Sequence, residues 1–321
     1  LPADHVYQAA TELPSGRILI AGGIGVASAE VYDPGSDSWA SAGHLHAARQ
    51  RAVATVLSSG LVLLSGGLAN DESATNFPLP AEVFHPDSGQ WTLTNPMHGG
   101  RINHQATLLP SGKVLVTGGD DQQNALASAE IFDPRTQAWT PAASMLHARS
   151  GHVAALIGGQ VFVAGGTDGG AVLNSAELYD PVSNGWSPLP AMPTARGFSS
   201  LVTLPDSSLL VLGGEVGMNP VPHVEQYSPG RGWTPWPSMI DARMSPGVAL
   251  VGGRWVIAAG DTPKHLHGAE YMDLQTRAWQ AEPDYAPFHT HATLVATTTG
   301  LLVLGGPFNG TERLQFDPPK P

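Results

Sequence analysis

Histidine is the first residue type in this chain that invites a chemical reading, because thirteen of them occur beside no cysteine at all. His104, His152 and His291 each open a short apolar segment, His265 and His267 form an H-x-H pair, and His289 and His291 form a second. His5 stands next to Val6 and Tyr7 near the first residue given. Neutral imidazole is the commonest protein ligand for transition metals, and H-x-H on extended backbone puts both rings on one side. Three readings stay open. One divalent transition metal (Zn, Mn, Fe or Cu) would sit on His291, His289, His265, His267 and His5. Alternatively, His104, His152, His291 and His5, with Tyr7, would serve as acid–base or ligand-binding groups. The third reading makes them ordinary hydrogen-bonding loop residues. The spacing matches no established metal signature, and no His-Glu-x-x-His run occurs.

Arginine supplies the second constellation. Arg49, Arg101, Arg149, Arg196 and Arg243 each precede one of the apolar segments, and His5 and His289 fall near the matching place twice more. Guanidinium forks bind carboxylates and phosphates in bidentate fashion, so a ring of them would clamp an anionic substrate. The other reading makes each Arg a brace for its own loop. Acidic residues follow a glycine pair at Asp120, Asp121, Asp168, Glu215 and Asp261, where a carboxylate beside His and Arg would act as a base or orient one. Asp168, Glu215 and His289 complete the expected substrate-binding set.

These residues recur because the chain itself recurs. Runs such as "KVLVTGG" (Lys113–Gly119), "RILIAGG" (Arg17–Gly23) and "QVFVAGG" (Gln160–Gly166) end on a glycine whose positions are 23, 67, 119, 166, 214, 260 and 306. That makes seven units spaced 44 to 52 residues apart. Each unit holds four short segments rich in β-branched or aromatic residues and bounded by Gly, Pro, Asp or Ser, and each segment reads as a strand. The third carries "AEVYDP", "AEIFDP" or "AELYDP"; the fourth opens near Trp39, Trp91, Trp139, Trp186, Trp233 or Trp279. Glu30, Glu82, Glu130, Glu177, Glu225, Glu270 and Glu312 occur in all seven units, which marks them as architecture, bonded to nearby backbone. Function is then expected at departures from the repeat. Trp255 departs from the repeating Trp position and is expected inside a second strand, while the insertion Leu68–Pro80 is the candidate lid.

The double glycine, the Glu–aromatic pair and the Trp opening the fourth strand together resemble the kelch repeat over essentially the whole chain. The resemblance implies an all-β fold, a seven-bladed β-propeller of four-stranded antiparallel kelch blades in a single domain over 1–321. The blades are expected near 5–46, 50–97, 103–145, 150–192, 197–239, 245–284 and 290–318, the last with three good strands and a weak or absent outer one. Strands alternate in direction, so the loops joining strands two and three share a rim with those joining strand four to the next unit. The resemblance places ligand sites on that rim. Galactose oxidase looks like a seven-bladed kelch protein, but its copper site depends on a Tyr–Cys crosslink, and a chain without cysteine cannot make it. Plant specifier proteins also look similar, but only Asp261-x-x-x-His265 of their iron loop is present. Sialate-epimerase-like kelch enzymes are usually six-bladed, unlike the seven units read here.

Composition excludes several other classes. A net charge of −12 opposes sequence-blind nucleic-acid binding. No apolar run reaches the roughly 18 residues of a membrane span. G-x-S-x-G and phosphate-loop motifs are absent, so no nucleotide cofactor is expected. The chain reads as soluble, either cytoplasmic or exported after signal removal, and as a monomer. The leading expectation is a lyase, isomerase or hydrolase acting on an anionic or carbohydrate-like small molecule in the central funnel. The alternative is a non-catalytic kelch propeller that binds a protein or glycan on the same rim, since fold alone never fixes function.

Overall fold

The segment Val114–Thr117 has every side chain buried, which an amphipathic strand would not allow. Val114 and Val116 pack with Leu63 and Val83 of the preceding unit. Leu115 packs with Val161, Val163 and Tyr179 of the following one. A strand apolar on both faces is therefore a strand with a sheet on each side, and the same alternation divides Val62, Leu64 and Leu63 between their two neighbours.

The computed structural model describes residues 6–69, 79–260, 268–281, 293–297, 300–304 and 311–314. Six antiparallel sheets of four strands run in chain order from the centre outward. In the third, the strands are Gln105–Leu108, Val114–Thr117, Ala129–Asp133 and Ala138–Ala142. Among the described residues six blades are therefore complete, not seven. The unit expected at 290–318 shows three strands, Thr293–Thr297, Gly300–Leu304 and Thr311–Leu314. Its innermost strand lies against those of blades six and one. Leu302 joins the apolar layer of Ile18, Ile20 and Tyr32 in blade one, so the first and last parts of the chain meet.

Aromatic residues fill the space between sheets, as the repeat requires. Phe132 lies opposite Trp139 in register, with ring centroids 4.9 Å apart and tilted, a pairing worth about 0.5–1.5 kcal/mol beyond its buried area. Tryptophan indoles then cross to the preceding blade: Trp91 donates to the Ala42 carbonyl at 2.9 Å and Trp186 to that of Ala143 at 2.8 Å. Trp255 lies buried in the second strand of blade six, as its sequence context indicates.

The glycine pair is explained at Gly118 and Gly119. Both have positive φ, +56° and +90°. A Cβ on Gly119 would stand 2.5 Å from the Ile102 carbonyl oxygen, and one on Gly118 would strike the Arg149 carbonyl of the next blade. The Gly119 N–H donates to that same Arg149 carbonyl at 2.9 Å, and Gly67, Gly166 and Gly214 repeat the bond to Arg101, Arg196 and Arg243.

Candidate functional site

The five arginines expected to clamp an anion are buried between the blades. Arg49, Arg101, Arg149, Arg196 and Arg243 rank among the largest fully buried side chains. Each pairs with the repeat Glu of its own blade: Arg149 with Glu177 at 2.6 Å, Arg196 with Glu225 at 2.6 Å, Arg101 with Glu130 at 2.9 Å. Nη1 of each donates to backbone carbonyls, as that of Arg101 does to Gly118 at 2.9 Å. The Nε of Arg49, Arg101, Arg149 and Arg196 has no partner but is sealed from solvent. The anion clamp is thus corrected to a set of inter-segment braces: no guanidinium donor of these five is free and accessible. Burial pushes the Glu130 carboxyl up, but the bonds from His98 and Arg101 outweigh it, and its pKa ends below the ordinary value. The Glu side chains also accept backbone N–H groups of the preceding loop, as Glu82 does from His46 and Glu177 from Leu146 and His147. This matches the architectural role the repeat suggests.

His104 and His152 are corrected in the same way. Each ring is buried against the first glycine of the preceding blade, Gly66 and Gly118 respectively. Nε2 of His104 meets Ser65 Oγ at 3.0 Å, and Nε2 of His152 meets Thr117 Oγ1 at 3.0 Å. Burial, then the Arg101 charge, lowers the His104 pKa to about 3, and burial keeps His152 well below its ordinary value. Both are buried and neutral at physiological pH. His5, His265, His267, His289, His291, Asp261 and most of the insertion after Leu68 lie outside the described residues. Among the described residues no cluster of three or more His, Asp or Glu side chains is arranged to hold a metal.

The departures from the repeat gather at another position, two residues after each Arg and, in the first unit, two after His5. Tyr7, Arg51, Asn103, Phe198 and Ser245 have φ of 57°, 56°, 51°, 51° and 45°, and Gly151 takes the same place in blade four at 62°. The Arg51 N–H donates to the Tyr7 carbonyl at 2.9 Å, Gly151 to Asn103 at 2.9 Å, Phe198 to Gly151 at 2.7 Å and Ser245 to Phe198 at 3.1 Å. The left-handed turns therefore link blade one to two, and blades three, four, five and six in series, around the mouth of the central channel. Their side chains differ in every blade. The Arg51 guanidinium lies 4.6 Å over the Tyr7 ring. The Phe198 ring rests on Gly151, where a Cβ would come within 2.9 Å of it. Asn103 donates to Asp120 at 2.9 Å, and the same carboxylate takes Ser150 Oγ at 2.7 Å.

Inside this ring a cavity of 190 Å³ is lined by Asn103, Gln105, Gly151, Phe198, Ser199 and Ser245, among others. It shares Gln105, Ser199 and Ser200 with a 300 Å³ cavity that runs on along Val153, Gly247 and Leu294. Neither lining includes a carboxylate, and the one histidine among them, His152, is buried. Asp168 stands in its own loop and takes the N–H groups of Ala171 and Gly170, which hold its pKa below the ordinary value. Glu215 lies at the base of a rim hairpin, where burial pushes its carboxyl up. The mouth residues Arg51, Asn103, Phe198 and Ser245 escaped the sequence reading, although stacking the repeats on their Arg would have exposed a column in which no two types agree.

Residues 50–228 match the family model described as the KLHDC2/KLHL20/DRC7 Kelch-repeats domain. Kelch-like protein 36 of Mus musculus is 26% identical over 263 residues, covering 78% of this chain and 43% of that protein. Kelch-like protein 34 of Homo sapiens is 29% identical over 130 residues, 39% of this chain and 20% of that protein. The chain thus spans less than half the length of these relatives. Among solved structures, a fungal alcohol oxidase of the AA5 family in complex with copper superposes with a TM-score of 0.74 at 14% identity, covering 96% of this chain and 71% of that one. YjhT gives 0.67 at 13% identity, covering 88% and 98%. At such identities the likeness concerns the fold. Among the described residues no helix is long and apolar enough to cross a membrane.

Proposed function

The chain belongs to the kelch-repeat family, and from that premise we propose that it is a non-catalytic propeller that binds a segment of another protein across the mouth-ring rim. One observation carries this reading: five bulky or polar side chains sit in the left-handed region, in register around one opening, where glycine would be unstrained. Each such residue costs on the order of 1 kcal/mol. Retention of varied side chains at strained, matched positions supports a role in contact with a ligand. Tyr, Arg and Phe are also types that anchor protein interfaces. The catalytic reading is weaker on chemical grounds, since the two cavities inside the mouth ring offer no carboxylate and their histidine is neutral and buried. We count the three-stranded sheet as a seventh, incomplete blade and treat 1–321 as one propeller domain.

The test is selection of a displayed library of random linear peptides on the whole chain, followed by direct affinity measurement. Arg51→Gly and Phe198→Gly are each expected to weaken the selected peptides by about tenfold, or ~1.4 kcal/mol, while leaving Tm unchanged or higher. Peptides indifferent to both substitutions would remove the mouth ring from the function.

A further inference from the structure

Five of the methionines, Met97, Met145, Met192, Met239 and Met272, are buried, but Met218 is 82% exposed. It stands at the tip of a hairpin formed by Glu215–Val216 and Asn219–Pro220 in the loop between strands two and three of blade five. Among the described residues this is the one such loop with its own two-stranded sheet; those of blades three and four close on single bridges, Asp120 to Ala125 and Thr167 to Val172. Gly217 and Met218 both have positive φ, 55° and 67°. A two-residue turn with both central residues left-handed selects Asn and Gly, so methionine at the second position is strained as well as exposed.

The hairpin is held at its base. Glu215 and Gly197 exchange N–H bonds at 2.9 and 3.0 Å, Val221 donates to Gly214 at 2.9 Å, and Val221 also bridges to Arg243. Asn219 Nδ2 donates to the Val216 and Gly217 carbonyls at 3.3 and 3.2 Å, which fixes the tip. The tip therefore presents its side chain in a preformed position. Val216 belongs to the same hairpin, and Ile240 and Met244 lie in the loop that leads past Arg243 into blade six; the three are 40%, 54% and 36% exposed. Ser245, from the mouth ring, follows Met244 in the chain, and Phe198 follows Gly197, whose backbone pairs with Glu215. Among the described residues of this sector, the exposed charge is negative. Glu215 and Asp241 remain part-exposed, whereas the nearby cations Arg196 and Arg243 are buried in their pairs with Glu225 and Glu270.

We propose that Met218, supported by Val216, Ile240 and Met244, is the apolar anchor of the rim, and that it takes a partner segment carrying large apolar side chains beside Lys or Arg. The unbranched thioether adapts to several apolar shapes, and the surrounding carboxylates favour a basic border. The proposal rests on the rim-binding reading above and adds its anchor and the partner's chemistry.

Peptides selected from the displayed random library are the probe. They are expected to be enriched in apolar residues next to Lys or Arg, and to bind more weakly as salt is raised. Met218→Asn removes the anchor while placing a favoured residue in the turn, so affinity should fall at least tenfold while Tm stays level or rises. Met218→Leu should keep affinity within a few-fold. Peptides weakened by Phe198→Gly but not by Met218→Asn would overturn the anchor and leave the rim reading standing. Insensitivity to both substitutions, or a selection that enriches nothing, would overturn both. Enrichment of acidic peptides would overturn the stated partner chemistry.

Discussion

The carbonyl of Arg149 accepts the N–H of Gly119 at 2.9 Å, while the guanidinium of the same arginine pairs with Glu177 at 2.6 Å. One residue thereby ties blade three to blade four through its backbone and its loop to the sheet through its side chain. The same two links recur at Arg101 and Arg196. An arginine at this place answers a structural demand before any ligand is considered.

Glu177→Ala should strip the buried Arg149 of its counter-charge and destabilise the fold by about 3–5 kcal/mol. Urea unfolding measures it. A loss under ~1 kcal/mol would mean that solvent reaches the pair.

His104→Gln should flatten the acid limb of the stability curve. The unfolded chain takes up a proton below the ordinary pKa of 6.5, but the folded chain refuses it until about 3. Stability therefore rises with pH through that window and is fully present above it, with a slope of up to ~1.4 kcal/mol per pH unit. Above about pH 5 the carboxylates contribute little to the slope, so denaturant midpoints from there to neutrality isolate the histidine. Equal slopes in both proteins would show that the ring is solvated.

Much of this fold was legible in the residues, and its limits have physical causes. Hydrophobic runs ending in paired glycine mark strands, and strict recurrence marks blades. The depth of Arg149 was not legible, because a guanidinium is buried only where a carboxylate lies opposite, and that depends on the register of Glu177 across the sheet. The direction of His104 was hidden for a similar reason: a ring at the start of an inner strand can face the channel or the neighbouring blade, and the space left by Gly66 decides. The mouth ring was hidden more deeply, since nothing in Tyr, Arg or Phe as residue types announces left-handed backbone.

Gly119→Ala and Gly169→Ala separate crowding from backbone strain. Both glycines have positive φ, +90° and +95°, but a Cβ on Gly169 meets nothing within 4 Å. Gly169→Ala should cost about 1 kcal/mol from strain alone, and Gly119→Ala should cost more, because the Ile102 carbonyl must move. Thermal unfolding of the pair checks the order. Equal losses would mean that the close approach yields easily.

Arg51→Gly, examined without any ligand, should leave the fold unchanged or raise its stability by a few tenths to about 1 kcal/mol, because the left-handed strain disappears. Loss of more than ~2 kcal/mol would assign Arg51 a supporting role in the scaffold.

The main-chain bonds that pass from Tyr7 to Arg51 and from Asn103 through Gly151 and Phe198 to Ser245 need no particular side chain. Substitutions in that ring can therefore accumulate without disturbing the layers between blades. A lineage could exchange its ligand by small steps along this rim, and a designer could retarget the wheel by rewriting half a dozen positions.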